Sequence, residues 1–385
     1  MRVKLSDAFD LQMGKTPTRS EPTYWGGANK WISIGDIGNA DKYIGSTKET
    51  ISDKGVQESG IRIVPQGTVI MSFKLSLGKV AITEEDMYTN EAIMAFINKG
   101  TYPIDTNYLY HLLSGTDWKA GTNKAVLGLT LNKATLSQKQ IDLPPLETQR
   151  QISTVLDKVS DLIALRKRQL DKLDELAKAR FVEMFGDPIA NPKEWPTKSL
   201  LEMGFCKNGM NFHYDDAGVE IHCLGVGDFQ DHSIIADTAT LPMVSLNEMP
   251  SEEYLLQDDD IVFVRSNGNK ELVGRSVAVY PGSTPTTFSG FCIRYRKRSN
   301  SVTIPYLLRV LKADSMRVQM AGRGANIQNL NQQILASLVI PVPPIELQDH
   351  FATLVTQIDK SKSVIQQGLG KLETLKSALM QKYFG

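Results

Sequence analysis

The sequence predicts an α+β protein with two β-rich globular domains and two long α-helices, laid out as an internal repeat. Three observations carry that expectation. The phrase "LPPLETQRQ" at 143–151 returns as "VPPIELQDH" at 342–350, placing Pro144, Pro145, Glu147 and Gln149 over Pro343, Pro344, Glu346 and Gln348 at a constant offset of 199 residues. Each copy opens a long proline-free stretch whose apolar residues step by four and three. The segments in front of the two copies carry short apolar or alternating runs broken by Gly, Asp, Asn and Pro. An internal repeat governs the whole architecture, so it is settled before any local motif.

The register holds in both directions. Downstream, "LAKARFVEMFG" (176–186) lies over "LKSALMQKYFG" (375–385), and upstream Leu131-Asn132 lies over Leu330-Asn331, still 199 apart. Nearer the start the echo is looser: "SIGDIG" (33–38) resembles "GVGDFQ" (225–230) and "GTVIMSFK" (67–74) resembles "DDIVFVRS" (259–266), both at an offset of 192. The two copies therefore differ by loop insertions.

The chain divides into residues 1–142, 143–186, 187–341 and 342–385. In the first segment "WISIG", "TVIMSF" and "KVAIT" read as strands, and "PIDTNYLYHLLSG" (103–115) as a helix. Pro144-Pro145 then stiffens the start of a helix, Glu147 complements its positive end, and no proline follows until Pro188. About 38 residues can stay helical, on the order of 55–60 Å. Its seam is Ile152, Leu156, Val159, Ile163, Leu170, Leu173 and Ala177. "FGDPIANPKEWP" (185–196) stops it. The third segment repeats the first, with "DIVFVRS", "RSVAVY" and the helix "TIPYLLRVLKAD" (303–314). The last repeats the long helix, with the seam Phe351, Val355, Ile358, Lys362, Ile365, Leu369 and Leu372. Arg166 and Lys362 interrupt the two seams at different levels, so the helices are expected to pack on each other, with charged stems reaching out along the seam, the alternative being two independent amphipathic helices that each cover their own domain. Gly368 and Gly370 inside the second helix imply a close approach or a bend.

Composition narrows the function. The 385 residues suffice for two domains with their own cores. Lys plus Arg and Asp plus Glu both number 43, so any nucleic-acid footprint must be local. Three scattered cysteines, Cys206, Cys223 and Cys292, give no disulfide framework and suit a reducing cytoplasm. No run is long and apolar enough to span a bilayer, so no membrane is expected.

Catalytic motifs are weak. Gly14-Lys15-Thr16 looks like the tail of a P-loop, but the first glycine would fall at Phe9. "NPKEW" (191–195) begins like an amino-methyltransferase site but has Lys193 at its third place and no glycine-rich loop with it. His213, His222, Cys223 and His232 match no closed zinc spacing. Asp258-Asp259-Asp260 reads as a solvated turn. Neither an enzyme nor a cofactor is expected.

The better signal is a set of polar, basic, glycine-bearing loops at corresponding places. "FKLSLGK" (73–79) faces "RSNGNKELVGR" (265–275), and "AGTNKAVLG" (120–128) faces "AGRGANIQN" (321–329). Such side chains pair with base edges, and glycines let the backbone approach phosphate. The candidate DNA contacts are Lys74, Lys79, Asn123, Lys124, Arg265, Asn267, Lys270, Arg275, Arg323, Asn326 and Gln328. A basic cluster of Arg294, Arg296, Lys297 and Arg298 adds candidate phosphate contacts.

Segment 143–188, "PVPPIELQDHFATLVTQID", "WISIGDIG" and "TLNKATLSQKQIDLPP" resemble the helical regions and target-recognition phrases of type I restriction–modification specificity (S) subunits. The resemblance covers essentially the whole chain. It implies two target recognition domains separated by two antiparallel, coiled-coil-like helices with approximate two-fold symmetry. It also implies double-stranded DNA, methyltransferase (M) subunits and restriction/translocase (R) subunits as partners. Each domain would read half of a split target, and the helices would set the gap. Lys362, Gly368 and Gly370 stand where the first helix has Ile163, Gln169 and Asp171, so the two docking faces need not be equivalent. Two other readings stay open: a protein-interaction scaffold that ignores DNA sequence, and a free-standing nuclease or methyltransferase.

Overall fold

The structure, a computed structural model, describes residues 1–74, 76–118, 131–212, 216–229, 233–321 and 329–385, without the side chains of 270 and 321. It divides into two compact units, Met1–Lys167 with Gln366–Gly385, and Arg168–Ile365.

In unit 1, Arg2–Lys4 pairs antiparallel with Gln140–Asp142. A five-stranded sheet runs in the order Phe9–Met13, Ile93–Asn98, Val69–Ser72, Val80–Thr83, Tyr43–Ile44. A three-stranded sheet runs Glu49–Ile51, Trp25–Ile32, Tyr88–Thr89. The helix α1 (Thr106–Gly115) covers one face of the larger sheet. Residues two apart along a strand share a face. Val69, Met71, Val80, Ile82, Met94 and Phe96 thus meet α1, while Ile70, Ala81, Ile93 and Ala95 meet Ile32, Ile37 and Met87. Strands covered on both faces become apolar runs, which is why "TVIMSF" and "KVAIT" do not alternate.

Unit 2 repeats this arrangement strand for strand. Its five-stranded sheet runs Gly204–Asn208, Cys292–Lys297, Asp260–Val264, Ser276–Val279, Ile234–Ile235, and its three-stranded sheet runs Met243–Leu246, Val219–Leu224, Thr286–Phe288. Thr197–Ser199 pairs with Val339–Pro341 as Arg2–Lys4 does with Gln140–Asp142.

Two 40-residue helices, α2 (Leu146–Phe185) and α4 (Ile345–Phe384), begin at the repeated phrase. At 1.5 Å per residue each is about 60 Å long. In unit 2, Asp174 meets Lys362 at 2.7 Å and Phe181 meets Phe351 at 5.5 Å between ring centres, so the helices run antiparallel there. In unit 1, Lys167 meets Glu373 at 3.4 Å, and both Ile152 and Phe384 border the core beneath α1. Lys362 thus keeps its place in the seam by pairing with an opposed carboxylate. The expected approach at Gly368 and Gly370 is not found: a Cβ at either would meet nothing within 4 Å, and α4 runs unbroken through them.

The repeated glutamine explains the phrase. Gln149 Oε1 accepts from the Asp105 N–H at 2.9 Å, and its Nε2 donates to the carbonyls of Pro103 at 3.0 Å and Pro144 at 2.8 Å. Gln348 does the same with Thr303, Ser301 and Pro343 at 2.9, 3.0 and 2.8 Å. Asp105 and Thr303 cap α1 and α3 (Ile304–Leu311) respectively. Each glutamine therefore ties the first turn of a long helix to the first turn of the domain helix before it. Tyr108 and Tyr306 add a second tie, their hydroxyls donating to the Asp142 and Pro341 carbonyls at 2.9 Å.

The helix stop is equally specific. Gly186 adopts φ +80°, and a Cβ there would come within 2.6 Å of Pro192, so only glycine fits. Asn191 closes the following turn on Trp195, and the Trp195 indole donates to the Phe185 carbonyl at 3.1 Å. "NPKEW" is thus a capping structure.

Candidate nucleic-acid interface

Of the matched loops, 73–79 and 265–275 join the same two strands as hairpins, and 120–128 and 322–328 lie outside the described residues. In unit 1 the Ser72 N–H donates to the Lys79 carbonyl and the Gly78 N–H to the Ser72 carbonyl, both at 2.9 Å. In unit 2 the Val264 N–H donates to the Arg275 carbonyl and the Gly274 N–H to the Val264 carbonyl, again both at 2.9 Å. Lys79 and Arg275 therefore occupy equivalent posts at the foot of equivalent hairpins. Lys79 is exposed and Arg275 half-buried. Lys74 is half-buried, with its ammonium 5.4 Å from the Phe73 ring centre.

Arg265 heads the second hairpin. Its backbone N–H donates to the Phe291 carbonyl at 2.7 Å and its Nη1 to the Gly290 carbonyl at 3.3 Å, while its own carbonyl accepts from Leu330 N–H at 2.8 Å. Three segments thus converge on one residue. Asn267 folds over its own loop, accepting from the Asn269 N–H at 2.8 Å. Arg317 donates to the carbonyls of Glu271 and Val273 at 3.2 and 3.3 Å, bracing the hairpin from outside. Burial and the neighbouring Arg275 hold that guanidinium below its ordinary range. The side chain of Lys270 and all of Asn123, Lys124, Arg323, Asn326 and Gln328 lie outside the described residues.

The basic cluster departs from expectation. Arg294 is fully buried, at 0 % exposure, with its guanidinium 4.9 Å from the Phe205 ring centre. It shares a strand face with Cys292, which lies in the core between the sheets, so strand alternation turns it inward. So buried, its guanidinium offers no surface to a phosphate. Arg296 is bound bidentately by Asp260 at 2.7 Å on both arms, Lys297 lies 3.7 Å from Asp259, and Arg298 covers Phe205 at 4.2 Å. Asp260 is buried rather than part of a solvated turn, because Arg296 compensates its charge.

Other motifs resolve locally. A Cβ at Gly14 would fall 2.2 Å from the Thr89 carbonyl oxygen, so that glycine serves a close strand approach. Lys15 bonds the Ser59 carbonyl and Thr16 the Glu91 carboxylate. His222 Nδ1 bonds the Leu241 carbonyl at 2.9 Å. His213 and His232 lie outside the described residues, and among those described no group of three potential metal ligands occurs. No helix among them is long and apolar enough to cross a membrane.

Sequence reasoning missed Phe291. It is 62 % exposed at the turn that Arg265 grips, and nothing in its local sequence marks it. Its carbonyl brings it to the hairpin, accepting from the Arg265 N–H at 2.7 Å and the Ser266 N–H at 3.4 Å.

Residues 1–175 match the type I restriction modification DNA specificity domain. The type I restriction enzyme MjaIX specificity subunit of Methanocaldococcus jannaschii is 30 % identical over 416 residues, an alignment spanning 98 % of this chain and 91 % of that one. The chain belongs to the type I restriction enzyme specificity subunits. As a specificity subunit it is the DNA-specificity component, not the catalytic part, of such an enzyme. The type I restriction enzyme StySPI specificity subunit of Salmonella potsdam is 21 % identical, over 73 % of this chain and 65 % of its own. Among solved structures, the type I restriction–modification S subunit from M. genitalium aligns over all of this chain and 96 % of its own, with a TM-score of 0.57 at 14 % identity. A chain from a structural study of type I restriction–modification assembly aligns over 100 % and 97 %, with a TM-score of 0.62 at 17 % identity. Those two likenesses speak for the specificity-subunit fold.

Proposed function

We propose that this specificity subunit reads an asymmetric, two-part DNA target, one half with each recognition domain. The domains are residues 1–142 and 187–341, and the helical segments 143–186 and 342–385 set the gap and carry the methyltransferase subunits, which restriction/translocase subunits then join. The observation that carries this reading is the identical strand order and glutamine tie of the two units, combined with hairpins of unlike sequence. Like scaffolds with like reading loops would select a palindrome, whereas unlike loops select an asymmetric site. Balanced charge fits a subunit whose partners supply much of the phosphate contact. Lys74, Lys79, Asn123 and Lys124 contact the first half-site, and Arg265, Asn267, Lys270, Arg275, Arg323, Asn326 and Gln328 the second. The assembly acts on DNA in the cytoplasm.

Mapping methylated adenines in cells tests this. Replacing the 265–275 hairpin should alter the second half-site and leave the first and the gap intact. A change in both halves, or in neither, refutes the division of labour.

A further inference from the structure

The two units differ at one corresponding place, where the sheet edge, the domain helix and the long helices meet. In unit 1 it is closed by charge. Asp157 of α2 accepts from Lys42 Nζ at 2.6 Å and pairs with Nε2 of His111 on α1 at 2.7 Å, and His111 is buried. Lys42 precedes the edge strand Tyr43–Ile44, as Ser233 precedes Ile234–Ile235. His111 lies three residues beyond Tyr108, as Arg309 lies three beyond Tyr306. Asp157 corresponds, 199 residues on, to Thr356.

At these corresponding places unit 2 therefore has serine for Lys42, arginine for His111 and threonine for Asp157. Lys312 of the turn after α3 joins that arginine, and Lys362 of α4 stands nearby. These groups line a cleft of about 110 Å³ whose apolar walls include Leu308, Phe351 and Val355. Lys362 is engaged by Asp174 at 2.7 Å. Lys312 Nζ donates to a neutral partner, Ser233 Oγ, at 2.8 Å. Arg309 has no hydrogen bond or ion pair among the described residues. Asp174 and Asp359 lie on the exposed rim, and Thr356 turns its hydroxyl back to the Ala352 carbonyl at 2.9 Å.

We propose that this cleft of unit 2 binds a small oxyanion, phosphate or a short carboxylate, which stands where Asp157 stands in unit 1. Asp174 and Asp359 face these half-buried cations from the rim, but at Lys312 burial outweighs them, and an anion lodged between Arg309 and Lys312 offsets that desolvation. Burial, with Arg309 and Lys362 beside it, pushes the Lys312 ammonium down to about 8 against the weaker pull of Asp174 and Asp359, and a bound anion opposes that trend. The volume is below the roughly 300 Å³ of ordinary cofactor pockets and equals that of about four waters, which suits one oxyanion with at most a short apolar tail. Binding ties α3 to α4, strengthening within unit 2 the junction that Asp157 secures within unit 1. This site is independent of how DNA is read.

Isothermal titration and thermal unfolding of the full chain, with inorganic phosphate or propionate against chloride at matched ionic strength, test the proposal. Saturable binding with a rise in Tm is expected for one of the two, phosphate winning if charge dominates and propionate if the apolar wall contributes. Lys312→Met and Arg309→Met should each weaken it at least tenfold. Thr356→Asp restores the carboxylate found in unit 1, so it should raise Tm without added anion and abolish the response. Absent or unsaturable binding overturns the proposal, as does a response that Lys312→Met and Thr356→Asp both leave intact. Thr356→Asp keeps the test decisive if the cation variants fail to fold.

Discussion

Gln149 and Gln348, 199 residues apart, make the same three hydrogen bonds to the same three backbone positions of their respective units. Both are fully buried. Replacing either with leucine keeps the volume but strands one N–H and two carbonyls, at about 1–3 kcal/mol for each group left unpaired. Chemical denaturation should show Gln149→Leu and Gln348→Leu each losing at least about 2 kcal/mol. A loss within error of zero would mean that water replaces the tie.

Acidification should weaken unit 1 specifically. Burial, with Lys42 adjacent, holds His111 below its ordinary value of 6.5, despite the opposing pull of Asp157. The unfolded chain then takes up the proton first, so stability is full above about 6.5 and falls as pH drops through that value. His111→Gln should flatten this part of a Tm-versus-pH curve. An unchanged slope would assign the loss to other groups.

Arg294→Met should leave DNA affinity and its salt dependence unchanged and should not lower Tm. The guanidinium is buried with all three nitrogens unpaired among the described residues, and replacing a buried charge by a well-packed apolar group is neutral or stabilising. Asp260→Asn should be clearly destabilising, because it releases Arg296 from its bidentate partner.

Lys79→Ala and Arg275→Ala separate phosphate from base contacts. A phosphate contact weakens all sequences alike and reduces the salt slope by about 1, whereas a base contact costs about 1–3 kcal/mol and relaxes one position. As base contacts, Lys79→Ala should relax only the first half-site and Arg275→Ala only the second; equal weakening on all sequences would make them phosphate contacts. Arg323→Ala and Asn326→Ala should also act on the second half-site alone.

Lengthening α2 and α4 together by one heptad at the same level preserves the seam and adds about 10 Å. The permitted gap between half-sites should grow by about three base pairs at 3.4 Å each. A gap unchanged in methylation maps would refute the spacer role.

Much of this architecture was legible because it rests on short-range chemistry. The Pro-Pro phrase, the proline-free seam and the stop at Gly186 locate α2 and α4 within a few residues, and apolar runs such as "KVAIT" mark the central strands. What stayed hidden depends on partners distant in sequence. Arg294 looks like a surface cation until its strand face is known. The reach of Gln149 to Asp105, and the cleft beside Arg309, exist only after folding. Phe291 needed the backbone of Arg265 to give it a position.

The phenylalanines that end the two long helices carry a further consequence. Phe384 stacks edgewise on Tyr108 at 5.5 Å, and Met380 beside it touches the place a Cβ on Gly115 would fill, so the last turn of α4 roofs the earliest-made globule. Phe185 performs that service for Tyr306 at 4.8 Å. A ribosome releases the later globule onto a finished roof, but the earlier one waits, with an oily flank bare, for residues made 276 positions after Tyr108. Loss of the last turn of α4 would therefore be felt first in the globule that is made earliest.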